Sequence, residues 1–192
     1  MMKRDACLKI LARHRTDEIV VAVYQAAFEW RQIAPSPLNY VSVGVMGQAS
    51  SHALGLALGR PDRKVIVLDG DGSLLMNLGT LVTIAKEAPG NLYHFVCNNG
   101  VYEANGSHPL PCSDDMSFPA LARAAGIRNV HEFADLQAFE RNIAAVLKED
   151  GPVFVNLKVE QGEAYPQDYA YIHSAAPRAA FKTALAASKP RP

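Results

Sequence analysis

Short runs of apolar and β-branched residues recur along the chain, separated by segments whose apolar residues fall at helical spacing. The runs are EIVVAV (18–23), NYVSV (39–43), KVIVL (64–68), NLYHFVC (91–97), a segment at 128–133 and PVFVNLKV (152–159). Helices are expected over 3–14, 25–33, 48–58, 73–87, 117–125 and 135–149. Runs that are apolar throughout, rather than alternating, belong to strands covered on both faces. Strand–helix alternation of this kind builds an α/β fold, a doubly wound and mostly parallel six-stranded sheet. One such domain fits residues 1–163. Residues 164–192 carry no strand pattern and read as a tail, with a helix at FKTALAA and a frayed SKPRP end. Sheets of this class bind ligands beyond the carboxyl ends of their strands. The loops after Val23, Val43, Leu68 and Cys97 are therefore the ones to read for chemistry.

Composition narrows the partners. A length of 192 residues suits one sizeable core. Nineteen basic and nineteen acidic residues balance, and the basic ones are scattered, so no field favours nucleic acid. No stretch reaches the roughly 20 apolar residues of a membrane span, and charges interrupt the opening MMKRDACLKILARH before it could serve as a secretory core. Cys7, Cys97 and Cys112 are far apart, which leaves no CxxC pair and predicts no disulfide framework. A reducing, cytoplasmic location is expected.

Two loops carry the chemistry. After KVIVL the chain reads Asp69-Gly70-Asp71-Gly72-Ser73 and opens a helix. The glycines let backbone approach a bulky anion, and the N–H groups of Gly72 and Ser73 lie at a helix start, where phosphate is favoured. Asp71 is a hard oxygen ligand suited to Mg2+ or Ca2+. An EF-hand is excluded, because its sixth and twelfth positions hold Leu74 and Thr80. By itself this loop reads equally well as a capped βα turn. After the next strand comes Asn98-Asn99-Gly100, at the same edge of the sheet. Asp71, the Asn99 side chain and the Val101 carbonyl would offer three oxygen ligands, with diphosphate oxygens completing an octahedron. Gly44 and Gly47 stand two residues apart rather than one, so GVMGQASSHALG lacks the dinucleotide-binding GxGxxG.

Gly70-Asp71-Gly72, followed after 25 residues by Asn98-Asn99, resembles the signature of thiamin diphosphate enzymes. The resemblance implies that Asp71, Asn99 and the main chain of Val101 bind the metal, and that Gly70, Gly72, Ser73 and Tyr102 belong with them to the cofactor site. It further implies that Met46 pushes under the thiazolium, that the Met46 N–H donates to a pyrimidine nitrogen, and that the Gly44 carbonyl accepts from the aminopyrimidine.

About residues 1–160 are similar to the diphosphate-binding subunit of the sulfopyruvate and phosphonopyruvate decarboxylase family. The likeness rests on KRDACLKILARH, GVMGQASSHALGLAL and NNGVYEANGSHPLP. The chain departs from that pattern at Tyr24-Gln25-Ala26-Ala27, where the family has small polar residues near the phosphate, and at Asn105-Gly106-Ser107-His108-Pro109-Leu110; both departures bear on the substrate more than on the cofactor. The resemblance implies decarboxylation of a 2-oxo acid bearing a second anionic group, with the cofactor as electron sink. It also implies a partner subunit that carries the activating glutamate, in a hetero-oligomer that allows homodimeric contacts. A carboligase or lyase subunit, a 2-oxoacid oxidoreductase subunit and a degenerate scaffolding subunit are the competing readings. His108 could shuttle a proton or bind a substrate anion, and reads first as a solvent-exposed loop residue.

Overall fold

The computed structural model describes residues 1–42, 46–111 and 115–188. Gly44 and Cys112 lie outside them, as does the end of the tail. The strands are β1 (Met2–Lys3), β2 (Ile19–Val23), β3 (Asn39–Ser42), β4 (Val65–Gly70), β5 (Leu92–Asn98), β6 (Val101–Tyr102), β7 (His108–Pro109), β8 (Asn129–Phe133) and β9 (Val153–Glu160). The helices are α1 (Arg4–Ala12), α2 (Tyr24–Ile33), α3 (Ala49–Gly59), α4 (Asp71–Leu75), α5 (Gly79–Glu87), α6 (Phe118–Ala124), α7 (Leu136–Val146), α8 (Tyr169–His173) and α9 (Ala176–Ala187).

Seven of the described strands form one sheet in the order β1-β9-β5-β4-β2-β3, with β8 also paired to β9. Every pair in it is parallel. The six expected strands all form, and Met2–Lys3 adds a seventh beside Val159 and Glu160. Side chains of β4 and β5 alternate between two cores: Ile66, Leu68, Tyr93 and Phe95 pack with Leu8, Trp30 and Phe139 on one face. Val65, Val67, Leu92 and Val96 pack with Ala53, Leu81, Phe118 and Phe181 on the other. Both faces are thus buried, the physical cause of unbroken apolar runs. From β2 the chain moves to one side into β3 and then returns to the other side as β4, so a switch point lies between β2 and β4.

The helix expected over 73–87 is two helices. α4 begins at Asp71, and bonds from Met76 N to Ser73 O and from Asn77 N to Leu74 O, both spanning three residues, tighten the chain between α4 and α5. Asn77 Nδ2 is drawn out of that segment to the Gly47 carbonyl at 2.8 Å. The tail packs back on the domain: Phe181 of α9 is buried edge-on to Tyr40, centroids 5.2 Å apart. Arg60 Nη1 also reaches the Leu185 carbonyl at 3.0 Å. No helix of the described residues is long and apolar enough to cross a membrane.

Candidate cofactor site

At the switch point the carboxyl ends of β2, β4 and β5 open into a cleft. Met46, Gly70, Asp71, Gly72, Ser73, Asn99, Val101 and Tyr102 all line it. Gly44, the remaining residue expected at the site, lies outside the described residues.

The two loops meet at one carboxylate. Asp71, 2% exposed, accepts at Oδ2 from the N–H of Asn99 (2.9 Å) and of Gly100 (2.6 Å). Its Oδ1 accepts from its neighbour Gly72 N–H at 2.8 Å. Asn98, with its amide nitrogen turned toward Asp71, adds a donor to Oδ2 at 3.1 Å and accepts from Lys158 Nζ at 3.2 Å. Gly100 takes φ +77°, a left-handed value that favours glycine, and so brings its N–H to the carboxylate. In this arrangement the Gly72 N–H serves Asp71. Burial holds the Asp71 carboxyl above the usual carboxylate range, against the opposing pull of the Gly100, Gly72 and Asn99 N–H groups.

A second pair of contacts places Met46. Gly47 N–H donates to Ser73 Oγ at 2.9 Å, and the Gly47 carbonyl accepts from Asn77. Gly47 has φ +87°, and a Cβ there would stand 3.0 Å from Asn77 Cβ. The turn carrying Met46 is therefore clamped to α4 and the segment after it through both backbone polar groups of Gly47. Ser73, its oxygen engaged by Gly47, keeps its hydroxyl proton to donate.

Gly72 has no room for a side chain, because a Cβ would lie 2.5 Å from Tyr102 Cδ1 and 3.2 Å from Leu110 Cδ2. The hairpin of β6 and β7 thus rests on the Asp71 loop through the Tyr102 ring. Gly72→Ala is expected to cost ~1–3 kcal/mol by overpacking. In a Tyr102→Ala background the same change should be close to neutral. Urea unfolding of the four chains in this cycle checks the coupling.

Sequence reasoning missed the other wall of the cleft. Arg4, 4% exposed, bonds Glu29 through Nε (3.0 Å) and Nη2 (2.6 Å). It also bonds Glu103 through Nη1 (2.5 Å) and Nη2 (3.1 Å). Glu103 in turn accepts from Asn99 Nδ2 at 2.9 Å. Asp69, fully buried, bonds His94 Nε2 at 3.2 Å. A charged residue on the buried face of YQAAFEWRQI was the available signal for Glu29; nothing local pointed to its partner. Tyr24, at the entrance of α2, lines the cleft with φ +41°, an uncommon value for a non-glycine residue. His108 is exposed on the outside of the hairpin.

The donor set suits a hard cation. Among the described lining residues stand three carboxylates, Asp69, Asp71 and Glu103, and one guanidinium, Arg4, which two glutamates already occupy. Such a wall repels a bare diphosphate and favours one that arrives with a divalent ion. No group of three His, Cys, Asp or Glu able to hold a metal occurs among the described residues, so a metal here depends on the mixed carboxylate, carboxamide and carbonyl set. Cys7 and Cys97 are both buried. Burial pushes the Cys7 thiol up to about 12 and the Cys97 thiol upward as well, far from a ligand-ready thiolate.

Residues 20–157 match the C-terminal TPP-binding domain of thiamine pyrophosphate enzymes, and the chain belongs to that family. It is 40% identical over 167 residues to the sulfopyruvate decarboxylase subunit beta of Methanothermobacter thermautotrophicus, covering 85% of each chain. It is 43% identical over 124 residues to phosphonopyruvate decarboxylase of Streptomyces viridochromogenes, which is 65% of this chain and 31% of that one. The chain thus spans less than a third of that longer relative. Its fold is similar to that of an enzyme from Mycobacterium smegmatis described as thiamin diphosphate-dependent, with a TM-score of 0.69 at 21% identity over 84% of this chain and 32% of that one.

Proposed function

We propose that this chain is the diphosphate-side subunit of a thiamin diphosphate-dependent decarboxylase acting on a 2-oxo acid with a second anionic group. The observation that carries the reading is the convergence of the Asp71 and Asn99 loops on one carboxylate, at 2.9 and 2.6 Å. Its support from relatives is the subunit beta likeness, which runs over most of both chains. Asp71, the Asn99 carboxamide oxygen and the Val101 carbonyl would hold Mg2+ or Ca2+. Gly70, Gly72 and Ser73 would face the diphosphate, Ser73 with a hydroxyl proton to give. Met46, held by the Gly47 clamp, would support the thiazolium, with Tyr102 seating the loop and the Gly44 carbonyl meeting the aminopyrimidine. The cofactor, when bound, supplies the electron sink for loss of carbon dioxide.

Residues 1–163 would form the cofactor-binding unit and 164–192 an appended tail. The activating glutamate is assigned to a separate pyrimidine-side subunit, in a cytoplasmic hetero-oligomer with room for homodimeric contacts. The chain's own part would be to bind and orient: Asp71 and Asn99 would hold the cation that offsets the charge of the diphosphate.

The test pairs the chain with a pyrimidine-side subunit, thiamin diphosphate and Mg2+, and follows carbon dioxide release from a panel of 2-oxo acids. Release is expected from acids with a second anionic group and should require both cofactor and cation. A loaded pair that releases none from any 2-oxo acid would overturn the reading.

A further inference from the structure

A carboxamide offers a cation either its oxygen or its NH2 group, and a half-turn about the last side-chain bond exchanges them. Only the oxygen can be a ligand, so an amide ligand needs something to hold it the right way round. Asn99 has such a hold on both ends. Its Oδ1 accepts from the Val101 N–H at 3.1 Å, and its Nδ2 donates to Glu103 Oε2 at 2.9 Å. A backbone N–H can only donate and an ionised carboxylate can only accept. The turned-over amide would face donor with donor and acceptor with acceptor. Oδ1 retains a second lone pair for the cleft.

Glu103 is itself held. Both of its oxygens accept from Arg4, at 2.5 and 3.1 Å, and Glu29 grips the same guanidinium from the far side. Arg4 opens α1, ninety-nine residues from Glu103 along the chain. The series Glu29–Arg4–Glu103–Asn99 therefore runs from the helical layer to the rim of the cleft. Charge-assisted bonds of this kind are the stronger ones.

We propose that Glu103, anchored by Arg4, is a positioning residue of the cation site that keeps the Asn99 carbonyl oxygen turned toward the cation. The proposal rests on the assignment of Asn99 as a cation ligand. Groups that orient a metal's direct ligands typically matter ~10–100-fold to affinity when removed.

The test is calorimetric titration of Mg2+ into the chain paired with its pyrimidine-side subunit at saturating thiamin diphosphate, with thermal unfolding of each apo variant alongside. Glu103→Leu is expected to weaken Mg2+ by ~10–100-fold, and the same change in an Asn99→Ala background by less than about 3-fold, because no amide is left to orient. Glu103→Gln carries the test where the leucine variant does not fold. A neutral amide can itself turn over, so a loss of several-fold is expected, again absent in the Asn99→Ala background. Wild-type Mg2+ affinity in the Glu103 variants, or an equal loss with and without Asn99, overturns the proposal. The absence of any Mg2+-dependent heat in the wild-type pair would instead remove the cofactor reading on which it stands.

Discussion

Asp71→Ala is expected to abolish Mg2+-dependent binding of thiamin diphosphate. Removing a group that merely orients a ligand costs ~10–100-fold in affinity, so removing a direct and charged ligand should exceed about 100-fold. The effect is compounded locally. Asp71 gathers the N–H groups of Gly72, Asn99 and Gly100 onto one carboxylate; a buried donor left without a partner, as that of Gly72 would be, costs ~1–3 kcal/mol, and the half-buried N–H groups of Asn99 and Gly100 less. Asp71→Asn separates the two contributions, since it keeps an oxygen for the Asn99 and Gly100 donors while removing the charge. Both variants should fail to bind cofactor, and the alanine variant should also unfold at lower urea. Heats of binding equal to wild type in either variant would sink the assignment of Asp71 to the cation.

The second large effect is on stability. Arg4→Met strands Glu29 and Glu103 beside one another, with Glu29 only 3% exposed, and no cation between them. Breaking a buried ion pair by removing one partner costs ~3–5 kcal/mol, a large share of the ~5–15 kcal/mol that holds a typical domain folded. The charge, rather than the lost packing, is the cause, and pH distinguishes them. Burial already holds the Glu29 carboxyl above its usual value, with Arg4 pulling it down. A carboxyl raised in the folded state favours folding when protonated. That contribution is fully present below the unfolded value of about 4.5 and is lost as pH rises through the higher folded value. Without Arg4 the folded value rises further, so the deficit of Arg4→Met should be greatest near pH 7.5 and shrink as pH falls toward 5. Urea midpoints of wild type and variant across that range measure it. A deficit that stays constant with pH would assign the loss to packing alone.

Much of the molecule was legible without coordinates, for a definite reason. Strands buried on both faces are mostly apolar, so β2, β4, β5 and β9 stand out as runs. The loops at their carboxyl ends need glycine for sharp turns and polar residues for ligands, so Asp71 and Asn99 stand out as well. In each case the constraint acts within a few residues. The break between α4 and α5 was not legible, because it is drawn by Asn77 reaching the Gly47 carbonyl, 30 positions away. Nor was the second role of Gly72, whose missing Cβ makes room for Tyr102 of a later strand.

The local sequence by itself determined which segments are strands, which edge of the sheet carries the two glycine-bearing loops, and that Asp71 and Asn99 stand on that edge. Only the tertiary structure decided how those side chains are aimed. Arg4, Glu29 and Glu103 are ordinary charged residues on separate elements, 25 and 99 positions apart, and no periodicity links them. Burial joins them: a charge removed from water must find a partner wherever the fold brings one, and the partner it finds sets the direction of the Asn99 amide.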